Sequence, residues 1–164
     1  MTLQQYIAAQ FDAALLQLKN EINNYTHKET LWEIRGEIKN SAGTLALHLI
    51  GNLNHFIGAG LGKTGYVRNR DAEFADRNVS TGTIIKNIDE LAYKVKVVVE
   101  NLTDEQVYGD YPINDGKPAK TTVQRLIQLL AHLNYHVGQV NYHRRLLETP
   151  VSIANGVERL KQGQ

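Results

Sequence analysis

Cysteine is absent from the 164-residue chain. Its absence excludes disulfides, thiolate zinc fingers, iron–sulfur clusters and a cysteine nucleophile together, so any metal must be held by imidazole and oxygen ligands. Proline is scarce: only Pro112, Pro118 and Pro150 occur, which leaves long stretches where helices can run uninterrupted. Charge of one sign is also lacking. Lys+Arg 18 against Asp+Glu 17 leave a net charge of +1, so no overall field favours nucleic acid or an anionic membrane. No long hydrophobic run is present either. The least polar stretch, residues 42–61, is interrupted by His48, Asn52, Asn54 and His55, each costly in hydrocarbon, and it reads as a buried helix rather than a transmembrane span. The N-terminus, MTLQQYIAAQFDAALL, lacks the basic n-region and unbroken apolar stretch of a signal peptide. These absences together predict a cytoplasmic protein with neither nucleic acid nor membrane as partner.

What the chain does have is helical periodicity. A hydrophobic fraction of 42% with 21% charged residues lies in the globular range, and the length suits one domain with one continuous core. Ile7, Phe11, Ala14, Leu18, Ile22 and Tyr25 recur at three- and four-residue spacing and predict a first helix. After a link over residues 32–39, Asn40 or Ser41 can cap a second helix with the stripe Leu45, Leu49, Leu53 and Phe56, which Gly58, Gly60 and Gly62 end. Residues 62–78 are charged and without clear period. Ser80 can cap a third helix bearing Ile84, Ile88, Leu91, Val95, Val98 and Leu102; Val97, Val98 and Val99 have strand propensity, but the surrounding helical period runs for about five turns. Asn114, Asp115 and Gly116 centre a stretch of turn chemistry. Thr121 or Thr122 then caps a fourth helix with Val123, Leu126, Ile127, Leu130, Leu133, Val137 and Val140 on its apolar face, and Pro150 closes it. Four amphipathic helices are satisfied most simply by an all-α, antiparallel four-helix bundle over residues 1–150, with residues 151–164 adding a short C-terminal helix or tail. Leu16, Leu146 and Leu147 lie off the main stripes and suggest a homodimer.

Of 6 histidines, five fall on the second and fourth helices: His48 and His55, then His132, His136 and His143. The H-x-x-x-H pair His132 and His136 stacks two imidazoles one turn apart, within reach of one ion. A third ligand must come from elsewhere, and an ion held by three histidines keeps open positions for water or substrate. The spacing alone does not separate a metal site from an ordinary polar border. At about 100° per residue, His132, His136, Gln139 and His143 flank the apolar stripe of their helix, as His48 and His55 flank theirs.

The pairing of LALHLIGNLNHFI on the second helix with LLAHLNYHVGQVNYHRRLL on the fourth resembles the DinB superfamily of metal-binding helical bundles, over nearly the whole chain. The resemblance implies a facial triad of His48, His132 and His136 on one divalent ion, zinc or nickel, completed by water. It further implies either a transferase that activates a low-molecular-weight thiol as co-substrate or a hydrolase that activates water, acting on a small molecule whose identity the sequence leaves open. A non-catalytic bundle with a structural or incidental metal, acting in dimerisation or protein interaction, is the alternative. Asn52 and Gln139 lie one turn from proposed ligands and can orient a ring nitrogen or a water, with plain solvation as the other reading. His55 and His143, seven residues from proposed ligands, either line a pocket or stand solvated at the surface. Gly138 can admit a close helix neighbour. The linker GYVRNRDAEFADR resembles a segment of one branch of the same superfamily. In it Arg68, Arg70 and Arg77 can present guanidinium forks to an anionic substrate, or pair with Asp71, Glu73 and Asp76 in a self-neutralised loop, with Tyr66 and Phe74 pinning it to the bundle.

Overall fold

The computed structural model describes residues 1–113 and 120–148. The turn at Asn114–Gly116, Pro150 and the helix expected over 151–160 lie outside the described residues. Four long helices carry the architecture: α1 (Leu3–Asn23), α2 (Ala42–Leu53), α4 (Thr81–Glu100) and α6 (Thr122–Leu147), with short α3 (Arg70–Ala75) and α5 (Asp104–Tyr108) between them. Each long helix opens on a hydroxyl that accepts from the third backbone N–H of the helix: Thr2, Ser41, Ser80 and Thr121. These side chains satisfy donors that a helix start otherwise leaves unpaired.

One core runs between the four helices. Phe11, Leu15, Leu18 and Ile22 of α1 meet Leu49 and Leu53 of α2, Ile84, Ile88 and Leu91 of α4, and Leu126, Leu133 and Val137 of α6. The stripes read from sequence face the core, although Phe56, Val98, Val123 and Leu130 are only partly buried and Ile127 is exposed. On α6 the inward positions are Leu126, Leu129, Leu133, Val137 and Val140, whereas Ile127 is 58% exposed because it lies about 100° round the helix from Leu126. On α4 Val99 is fully buried and Val98 only partly.

Contacts at the helix ends give the directions. Gln4 of α1 bonds Leu102 and Asp104 just past α4, and Lys19 pairs with Asp89, so α1 and α4 are antiparallel. His48 meets His132 while Phe56 meets Arg125, so α2 and α6 are antiparallel as well. The other neighbours run parallel: Glu21 and Tyr25 reach Arg144 and His143, and Asn54 reaches Lys94. The long link between α2 and α4 permits this, because it crosses the bundle instead of turning back in a short hairpin. The α2 helix continues into a turn of π-helix, Asn54–Ala59, in which Gly60 N–H donates to the His55 carbonyl and Gly62 N–H to that of Ile57. Sequence periodicity gave no sign of this widening, nor of α3 and α5, which span one or two turns and are too short to show a period.

Candidate metal centre

α2 and α6 cross so that three imidazoles converge. His48 Nε2 lies 3.3 Å from His132 Nε2, and His136 Nε2 lies 3.1 Å from it, with the three rings nearly perpendicular to one another. His48 is buried; His132 and His136 are half-buried and keep one side of the cluster open. Two nitrogens bound to one tetrahedral zinc ion at its usual bond length stand about 3.3 Å apart. The spacing of the three histidines fits that donor set.

Hydrogen bonds on the far ring nitrogens fix how two of the imidazoles are presented. His48 Nδ1 lies 3.1 Å from Glu73 Oε2, and His136 Nδ1 lies 2.6 Å from Gln139 Oε1. A carboxylate only accepts, so the Nδ1–H of His48 donates to Glu73 and its Nε2 carries a lone pair. The amide oxygen of Gln139 imposes the same tautomer on His136. Both lone pairs then aim at His132 Nε2, which has at most one proton to offer. Metal-free, the cluster is short of donors; a cation in its midst satisfies all three nitrogens. His132 Nδ1 is buried and meets no partner among the described residues, so no hydrogen bond on that nitrogen fixes the tautomer of the ring. Burial first, then the proximity of His136 and His48, lowers the His132 pKa to about 4; burial likewise lowers that of His48. Both are therefore neutral, as ligands must be, throughout the physiological range.

Glu73 appears in the sequence only as a neutraliser of nearby arginines, yet it is the residue that meets the outer nitrogen of His48. It is buried on α3, and Arg68 grips both its oxygens at 2.7 Å. The Arg68 guanidinium also passes 3.3 Å from His48 Nδ1, but it has no lone pair to share, and the proton on Nδ1 goes to the carboxylate. Gly51 makes the arrangement sterically open: a Cβ there would stand 2.0 Å from Glu73 Oε1. The signal available in the sequence was a glycine three residues after His48 and a carboxylate five residues after Arg68, with nothing to join them before α3 is docked.

The remaining candidates separate. The Arg68 fork closes on the Glu73 carboxylate, whereas Arg70 lies over the Phe74 ring at 4.9 Å and Arg77 bonds the Asp76 backbone carbonyl, so of the arginine–carboxylate pairs expected in the linker only Arg68–Glu73 is formed among the described residues. Phe74 packs on the His48 ring at 5.1 Å and Tyr66 is half-buried. Asn52 is buried, with its Oδ1 unpartnered among the described residues. His55 stands apart from the cluster with its ring against Phe56. His143 is buried, not solvated: Tyr25 Oη lies 2.6 Å from its Nδ1 and the Glu33 carbonyl 3.0 Å from its Nε2.

A family model matches residues 3–155, which covers the whole of this arrangement. The chain belongs to the DUF1572 family. The family is described as proteins of unknown function, so membership carries no activity to this DUF1572 chain. No curated protein and no solved structure matches it. Among the described residues of this family member, His48, His132 and His136 form the group able to hold a metal ion, and no helix is long and apolar enough to cross a membrane.

Proposed function

We propose that His48, His132 and His136 hold one divalent ion, zinc or nickel, and that the protein is a metal-dependent enzyme acting on a thiol or on water. The observation that carries this reading is the convergence of three Nε2 atoms whose outer nitrogens include two fixed by Glu73 and Gln139. The resemblance of the two histidine motifs to the DinB superfamily supports it. Three imidazoles suit a borderline metal rather than magnesium or calcium, and three protein ligands leave room for a reactant. Such an ion supplies Lewis acidity, which lowers the pKa of a thiol or water in its open position. The chain's own residues do the rest. Glu73 holds His48 in the ligating tautomer, Arg68 holds Glu73 in place, and Gln139 does for His136 what Glu73 does for His48.

The non-catalytic alternative assigns the metal a structural role. The apolar core weighs against that role, since it closes around Phe11, Leu18, Leu49 and Leu91 without any histidine. A homodimer is a separate proposal, supported by Leu16 at 55% and Leu146 at 47% exposure. The deciding experiment is metal analysis of protein purified without chelator, with a screen of thiol transfer and hydrolysis on wild type and on His48→Ala. Wild type should carry one zinc or nickel ion per chain and His48→Ala little. If His48→Ala binds metal as tightly as wild type while His55→Ala does not, the ligand on α2 is misassigned; if neither matters, the cross-helix site is wrong.

A further inference from the structure

A cleft of about 680 Å³ opens beside the histidine cluster, walled by Ile38 and Leu45 on one side and by Tyr135, Gly138, Gln139 and Tyr142 of α6 on the other. Gly138 is the unexpected member. In the interior of a helix glycine is destabilising relative to alanine, and close approach of a neighbour is the usual reason to find it there. Among the described residues no neighbour comes close: a Cβ on Gly138 would meet nothing within 4 Å. The helix contact that the sequence suggested for Gly138 is therefore not made, and the missing side chain widens the cleft instead.

The chemistry around that gap is aromatic. Tyr135 and Tyr142 are seven residues apart, about 10 Å along the helix axis, with Gly138 between them. They are 65% and 72% exposed, so their ring faces are open to a ligand in the cleft. Planar rings stack favourably on such faces. Glu37 and Lys39 both line the cleft, so its rim favours neither sign of net charge. Gln139 joins cleft to cluster: its Oε1 accepts from His136 Nδ1, and its Nε2 donates to Tyr135 Oη at 3.2 Å. On α6 the tyrosine face lies directly beside the histidine face, on the side away from the core.

We propose that this cleft binds a planar aromatic organic molecule without net charge, seated over Gly138 between Tyr135 and Tyr142. Its volume is that of an ordinary small-molecule site. That the occupant is the substrate rests on the metal-enzyme reading above; the seat itself does not need the metal.

The test is binding of indole to the full chain, followed by saturation-transfer NMR, with cyclohexanol as a non-aromatic probe of similar size. Indole should bind, and Gly138→Leu, which fills open space and favours the helix, should weaken it by about ten-fold or more. Tyr142→Leu keeps apolar bulk but removes the ring, and should weaken indole several-fold while leaving cyclohexanol, the poorer ligand, unchanged. Chelator-treated wild type and His132→Ala should bind indole as untreated protein does. Indole affinity unchanged in Gly138→Leu, with helical content intact by circular dichroism, would place the ligand elsewhere and overturn the proposal. So would cyclohexanol binding as tightly as indole, or indole binding that disappears with the metal. Protein that purifies without metal yet binds indole over Gly138 would remove the metal-enzyme reading and leave the cleft standing.

Discussion

His143 and His136 lie two turns apart on the same flank of α6, and their rings meet opposite circumstances. His143 is saturated: the Glu33 carbonyl can only accept, so Nε2–H donates to it and Nδ1 accepts from Tyr25 O–H. Burial holds the Tyr25 hydroxyl well above its usual pKa, which keeps it the donor that this bond requires. His136 has its Nδ1 proton taken by Gln139, and its Nε2 faces two further imidazole nitrogens, with no donor to match. The difference teaches that a flanking histidine becomes a pin or a ligand according to what its second nitrogen meets. Helix position alone does not distinguish the two.

The largest effects should come from exchanging the two circumstances. His132→Ala or His136→Ala should cost metal affinity well beyond the roughly 100-fold that loss of a supporting residue costs, while the helical spectrum and thermal midpoint of the metal-free protein barely move. His143→Ala should show the reverse: metal content intact, and stability lower by about 1–3 kcal/mol in chemical denaturation, because the buried Tyr25 Oη is left without its partner and the Glu33 carbonyl loses its donor. Metal loss in His143→Ala with unchanged stability would break the comparison.

A smaller effect tests the support beneath His48. Glu73→Gln keeps the shape but removes the charge that holds the Nδ1 proton, and metal affinity read by chelator competition should fall about 10- to 100-fold. Gly51→Ala touches no ligand, yet it should produce a similar loss by displacing Glu73. Full affinity in both variants would reduce Glu73 to a partner of Arg68.

The smallest effect is on the pH dependence of the metal-free protein. His132 titrates at about 4 when folded, chiefly because of burial, and near 6.5 when unfolded. Between those values the unfolded chain binds more protons, so stability rises with pH across that window; it is complete above the unfolded value and lost as pH falls toward about 4. The thermal midpoint should drop over that interval in wild type and drop less in His132→Ala. Identical profiles in the two proteins would show that the ring is not desolvated as the geometry requires.

The sequence by itself determined the helices and their inward faces. Core burial imposes a period of 3.6 on apolar residues, and that period is legible in Ile7 to Tyr25 and in Leu126 to Val140 without any partner in view. It determined one start through Ser80 and narrowed two others to adjacent pairs, Asn40 or Ser41 and Thr121 or Thr122, of which Ser41 and Thr121 are the caps, since a cap acts within four residues. It also placed His132 and His136 one turn apart. Bringing His48 to them took the resemblance, because the spacing of one helix says nothing about its neighbour. Only the tertiary structure decided the rest. It set which helices run parallel, widened α2 at Asn54, laid Glu73 into the space left by Gly51, and buried His143 against Tyr25. Each of these depends on contacts between residues remote in the chain, where local periodicity carries no information and the outcome is fixed by which unpaired donors, acceptors and gaps the packed helices bring face to face.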